Sequence, residues 1–314
     1  MSSKRAKAVA WKSTSSLGFF TLYKQLFVHP RPIPSTVSLA GKTAIVTGAN
    51  AGLAIRSEAK GQTAAVTLRN EFPIPDIQTS LIDLADYGSI NVFADPCRNL
   101  ERIDHVILNA GLQSSAFERN VKTGHETVFQ INHLSTVLLL LLLVSVIKEK
   151  KRQHETDRPS VLTVVGSDTM DFSKLATTGH IFPHSKLLLM MFISQLTDKL
   201  KPEEVIVNVC NPGMTAGTGL GHDVEKPRRA ERCITPLFMK LLGWSVQAGA
   251  SVYIHALSME GKKSHESFVS DWAIKPYASV MYKEEGKDLM ESLWQETMEE
   301  LTASSSHGIE SSLI

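Results

Sequence analysis

Cysteine is scarce in this chain and shows no paired spacing. Cys97, Cys210 and Cys233 are the only three in 314 residues, and no two stand at the short spacing of a zinc site or a disulfide framework. A cysteine-built metal centre is therefore not expected, and a reducing compartment such as the cytoplasm is. Net charge is also small: +1 overall gives no general attraction to nucleic acid. No internal repeat is present, which argues against a solenoid. Acidic residues are missing from the whole N-terminal stretch, where none precedes Glu58. What remains is an ordinary globular composition, 43% hydrophobic and 21% charged, long enough for one large α/β domain or two small ones.

The acid-poor start carries Lys4, Arg5, Lys7, Lys12, Lys24 and Arg31. Phe19, Leu22, Tyr23, Leu26 and Phe27 fall on one helical face. We expect residues 1–40 to form an amphipathic helix followed by a proline-rich connector, HPRPIP at 29–34. Packing on the protein's own body is the expected use of that helix. Its basic flank also allows weak contact with a membrane surface, and its Ser-rich, acid-poor character fits a transit peptide. Lys24 and Gln25 interrupt the apolar stretch and argue against a secretory signal. Residues 137–144 read VLLLLLLV, far short of the ~20 residues that span a bilayer. A buried core helix is expected there, close to a homo-oligomer interface.

Residues 43–52, TAIVTGANAG, organise the rest. Ile45 and Val46 suit a buried strand, and the run stops at Gly48 and reaches Gly52 after three small residues. Glycines just past a strand let the backbone turn sharply and approach a ligand, and a following helix N-terminus favours phosphate. Further apolar runs at about 77–84, 105–108, 161–165 and 205–209 each end in a polar or glycine turn. They alternate with helical patterns at about 57–72, 87–100, 124–150 and 183–200. That alternation predicts an α/β, Rossmann-like, doubly wound parallel sheet over residues 41–302. Residues 303–314 read as a disordered tail.

Taken in order, these strand ends resemble the short-chain dehydrogenase/reductase family, and their tone is similar to fungal members that act on secondary metabolites. Gly48, Asn50, Gly52 and Leu53 resemble the family's cofactor loop. Asp83-Leu84 resembles its adenine-contacting pair, and Asn109-Ala-Gly111 its Asn-Ala-Gly turn. Asn132 and Ser167 stand where its catalytic asparagine and serine stand. Phe182 to Lys186 resembles its Tyr-x-x-x-Lys motif, and Pro212, Gly213 and Thr215 the turn beside the nicotinamide. The resemblance implies NADP-linked hydride transfer between a small-molecule carbonyl and an alcohol. In the family, tyrosine donates the proton, lysine lowers its pKa, serine holds the substrate oxygen and asparagine supports the lysine.

Two departures accompany the resemblance. After Gly52 come only three residues before Arg56, whose counterpart in NADP-using members binds the 2′-phosphate. A βαβ crossover needs about 10–12 residues. We therefore expect a fold one helix and one strand short, with strand 77–84 paired directly to strand 43–47. The second departure is Phe182, at the family's tyrosine position. Its ring has no O–H and cannot protonate an alkoxide. His180 and His184 are the nearest imidazoles that could replace it. Activity is expected to be impaired. The alternatives are a catalytically silent paralogue that binds nucleotide or a partner protein, and an incomplete gene product.

Overall fold

Alternating β-branched runs and helix-forming segments give a mostly parallel sheet with helices on both faces in the computed structural model. It describes residues 28–48, 54–55, 58–72, 76–114, 116–153, 158–168, 181–217, 243–306 and 309. In chain order these residues form β1 (Ala44–Thr47), β2 (Ala54–Ile55), α1 (Glu58–Glu71), β3 (Ser80–Leu81), α2 (Tyr87–Cys97) and β4 (His105–Leu108). Then come α3 (Thr127–Gln153), β5 (Ser160–Val165), α4 (Ile181–Thr197) and β6 (Val205–Asn211). The chain closes with α5 (Val246–Ser258), β7 (Phe268–Ser270), β8 (Ala273–Lys275) and α6 (Glu284–Ser304). The amphipathic segment expected before residue 28 lies outside the described residues.

The strand order is β3-β2-β1-β4-β5-β6-β7-β8, parallel except for the β7–β8 hairpin. The chain leaves β1 toward β2 on one side and later places β4 on the other. That reversal opens a crevice at the carboxyl ends of β1 and β4, where ligands bind in open α/β sheets.

One topological expectation is wrong. Strand 77–84 does not pair with β1; the two-residue strand β2 lies between them, and the sheet is not one strand short. The register gives the reason. Ala54 pairs with Thr47, the last residue of β1, so β2 starts where β1 ends. The chain need not return to the foot of the sheet, and the six residues 48–53 suffice. They are too few for a crossover helix, and residues 49–53 themselves lie outside the described residues. The expected strand 77–84 also shrinks to Ser80–Leu81.

The core lies on both sheet faces. Every residue from Val137 to Val144 is at most 1% exposed, in one cluster with residues of α2, α4 and α6. Burying a leucine side chain contributes roughly 1.5–3 kcal/mol, so this run is core. The oligomer interface expected beside it finds no exposed apolar surface on these eight residues. Helix α3 is long and apolar enough to cross a membrane, but 94% of its apolar window is buried inside the protein. On the opposite face α5 packs Val252, Ala256 and Leu257 against Ile107, Val161 and Ile206.

Helix α6 seals the first face. Its Trp294 stacks on Phe192 of α4 with centroids 4.6 Å apart, and its Thr297 pairs with the buried His133 at 3.0 Å. Burial pulls the His133 pKa down to about 3, so this imidazole is neutral in the core. Glu300 takes His125 at 2.9 Å and the Tyr87 hydroxyl at 3.3 Å. The tail expected to be disordered from residue 303 is ordered further. Helix α6 runs to Ser304, the Ser306 N–H donates to Asn91 at 3.3 Å, and Ile309 is buried.

Candidate active site

The loop after β4 and the helices around it bring Asn132, Gly111 and Lys186 together. Asn132 sits on a π-helical turn, Gln130–Ser135, inside α3. The wide turn is stabilised by local hydroxyls: Thr136 donates to the Ile131 carbonyl at 2.8 Å, and the Gln130 amide to Ser135 at 3.0 Å. π-turns inside helices are rare and concentrate at functional positions. This one turns Asn132 inward, fully buried, against the loop after β4. Its Oδ1 accepts from the Leu112 N–H at 2.8 Å, and its Nδ2 donates to the Leu112 carbonyl at 2.8 Å and to Ser185 Oγ at 3.0 Å. A solvent-facing helix asparagine would show none of this.

Lys186 on α4 is 4% exposed and donates to the Val165 carbonyl at 2.7 Å, at the end of β5. Burial pulls its pKa down to about 8. Gly111 lies between the two groups. A Cβ there would stand 3.2 Å from Asn132 Oδ1 and 3.4 Å from Lys186 Nζ. Asn132, Gly111 and Lys186 thus share one small volume. Ser167 follows β5 by two residues and is half-buried. Phe182 is half-buried on the same helix as Lys186, one turn earlier, and its carbonyl accepts from Ser185 Oγ at 2.8 Å. His184 is half-buried in the same turn; His180 lies outside the described residues.

On the cofactor side, Gly48 has φ +65 and its missing Cβ would lie 2.4 Å from Ala110 Cα. Only glycine lets the two loops touch there. Asp83 accepts from the Ala85 N–H at 3.0 Å, while Ser135 Oγ donates to the Leu84 carbonyl at 2.6 Å. The π-turn therefore anchors both Asn132 and the strand end expected to meet adenine. Asn50, Gly52, Leu53 and Arg56 lie outside the described residues, so the structure does not place the rest of this loop.

Past β6, Gly213 has φ +73, and its Cβ would fall 2.4 Å from the Trp244 ring. Thr215 bridges to Trp244, and Gly249 of α5 leaves room for its hydroxyl, 2.5 Å from where a Cβ would be. Gly213→Ala should cost about 1–3 kcal/mol, because it adds a left-handed non-glycine residue and a ring clash. Urea denaturation measures this, and an unchanged midpoint would show that Trp244 gives way.

Sequence reasoning did not single out Ser185, Trp244 or Tyr253. Ser185 holds Asn132, Trp244 covers Gly213, and Tyr253 donates to Asn109 Oδ1 at 2.9 Å. A serine directly before the motif lysine was the one available signal.

Comparison with known proteins decides the family. The short chain dehydrogenase model matches residues 40–229. This chain belongs to that family. It is 39% identical over 341 aligned positions to the short chain dehydrogenase virL of Hypocrea virens, covering 96% of each chain. It is 34% identical to the short chain dehydrogenase/reductase mfmJ of Annulohypoxylon moriforme, covering 89% of this chain and 90% of that one. Among solved structures, the RhlG/NADP active-site complex of Pseudomonas aeruginosa has the same fold. Its TM-score is 0.56 at 21% identity, over 74% of this chain and 95% of that one. The 341 positions aligned with virL outnumber the 314 residues here, so at least 27 of them are gaps in this short-chain dehydrogenase.

Proposed function

We propose that this short-chain dehydrogenase binds NADP(H) and descends from a reductase of small carbonyl compounds, secondary metabolites among them, whose proton-donor position has been lost. The observation that carries this reading is the convergence of Asn132, Gly111 and Lys186, with Phe182 one turn before the lysine on the same helix. The residues fit the dinucleotide. Lys186 makes one hydrogen bond among the described residues, to Val165, and an ammonium has three N–H groups. Two are left for hydroxyls such as those of a ribose. Gly48, Asp83, Asn109, Gly111, Pro212, Gly213 and Thr215 would hold the rest, and bound cofactor would supply the hydride.

This chain's own residues divide the remaining work. Ser167 orients a carbonyl oxygen by a hydrogen bond. Asn132 and Ser185 hold the turn that faces Lys186. No described group at position 182 delivers a proton. The curated relatives reported above are fungal, which supports the secondary-metabolite setting. A cytoplasmic location goes with cysteines that show no paired spacing in the sequence. The six residues between β1 and β2 are too few for the crossover helix, which is the ground for a loss next to Gly52. A catalytically silent paralogue that keeps only nucleotide binding is the second reading, and Phe182 favours it.

Calorimetric titration with NADPH and NADH tests the cofactor assignment. Arg56 would pair with a 2′-phosphate, so NADPH should bind more tightly. Affinity should be poor, because the six residues between β1 and β2 are too few for the helix whose N-terminus would face the pyrophosphate. Equal or tighter NADH binding would count against Arg56.

A further inference from the structure

One amide ties together the two loops that open the cofactor edge. Asn109 Nδ2 donates to the Thr47 carbonyl at 3.1 Å and to the Gly48 carbonyl at 3.2 Å. The backbone N–H groups of Asn109 and Ala110 donate to Thr47 Oγ1 at 3.1 and 3.2 Å. Ala110 Cα then occupies the space left open by Gly48. The two bonds from Nδ2 need the Asn109 side-chain amide in a single orientation. A flipped amide would turn Oδ1 onto two carbonyl oxygens, an acceptor facing acceptors.

The orientation is set from the other face of the sheet. Asn109 Oδ1 accepts from the Tyr253 hydroxyl of α5 at 2.9 Å. Burial pushes the Tyr253 pKa up, so the phenol stays neutral and remains a donor. Helix α5 gives that hydroxyl a fixed origin. Ser245 caps its start by accepting from the Ala248 N–H at 3.1 Å, and Asn208 donates to its Ala256 carbonyl at 3.0 Å. Trp272 Nε1 donates to Ser251 Oγ at 2.9 Å on the same helix.

We propose that Tyr253 is a positioning residue for the cofactor edge: its hydroxyl orients the Asn109 amide, which in turn holds Thr47 and Gly48 where the cofactor loop begins. This rests on the nicotinamide reading above. It adds a group from α5, which lies outside every motif of the sequence analysis.

The test compares wild type, Tyr253→Phe and Ser251→Ala as full-length proteins. Ser251→Ala removes a hydrogen bond of the same kind on α5 and controls for loosening of the helix. NADPH affinity is measured by calorimetry, and hydrogen exchange is followed at the Asn109 and Ala110 amides without cofactor. Tyr253→Phe should bind NADPH about three- to tenfold more weakly, as expected for one hydrogen bond, and exchange faster at both amides. Ser251→Ala should change neither. Asn109→Asp cannot donate to the two carbonyls and should weaken NADPH binding further. If wild type binds NADPH and Tyr253→Phe binds it equally well, the proposal is overturned. If wild type binds no NADPH, the cofactor reading fails and exchange alone decides. Faster exchange in Tyr253→Phe then keeps the loop clamp, and unchanged exchange removes it.

Discussion

Phe182→Tyr should raise carbonyl reduction by about 10²–10⁴-fold over the natural chain. In free energy of activation this is roughly 3–5 kcal/mol. The new hydroxyl would be carried by the first turn of α4, one turn from Lys186. Residues four apart share a helix face, so the phenol and the ammonium would lie on the same side. A nearby ammonium favours phenolate and brings the phenol's pKa toward neutrality. Steady-state oxidation of NADPH with a panel of small ketones reads the gain directly. A gain of that size shows that Asn132, Ser167 and Lys186 still form a working site. No gain, with NADPH binding established, places the fault in the loop after Gly48. If the unmodified chain already turns over at about 1–10³ s⁻¹, Phe182 is not the defect. Replacement of His184, then His180, by glutamine would then find the donor.

Lys186→Met should make the protein more stable at pH 7 while removing any activity gained by Phe182→Tyr. Burial lowers the lysine pKa from the ordinary 10.5 to about 8. Below about pH 8 the lysine is protonated in both the folded and unfolded chains, and folding bears the whole cost of burying the charge. Between about pH 8 and 10.5 the unfolded chain binds more protons than the folded one, so stability rises with pH there. The shift corresponds to roughly 3 kcal/mol. Losing the hydrogen bond to Val165 offsets roughly 1 kcal/mol of the gain, leaving about 2 kcal/mol in favour of methionine at pH 7. Urea denaturation of both proteins at pH 7 and pH 10 checks this. The natural chain should gain on the variant as pH rises. A Lys186→Met variant less stable than the natural chain at pH 7 would show that the ammonium is better solvated than its burial indicates.

The two expectations bear on one question. A lysine expected to cost stability, with no donor at position 182 to serve, is present with its surroundings intact. The π-turn, the inward Asn132, the Ser185 contact and the close glycine at 111 all remain in place. Tyrosine substitution tests whether that arrangement still supports chemistry, and lysine substitution tests what it costs the fold.

Much of this molecule was legible in its sequence. Apolar runs ending in glycine or asparagine turns marked β1, β4, β5 and β6, because strand periodicity and turn chemistry are local. The eight apolar residues 137–144 read as core because the run is short, but the helix that carries them is long enough to cross a membrane, and only its burial in the fold decides for the core. Asn132, Ser167, Phe182 and Lys186 were candidates by order and spacing once the family resemblance was recognised, and the structure sets Asn132 and Lys186 beside Gly111. Tertiary structure decided what depends on register and distance. Two residues carry too little pattern to announce a strand, so β2 emerged only from the pairing of Ala54 with Thr47. Asn132 faces inward because a π-turn shifts the helix phase, which no 3.6-residue period foretells. Tyr253 lies 144 residues from the amide it holds. Such a contact exists only after the sheet has carried β4 and α5 to the same edge, and nothing in either segment's own pattern points to the other.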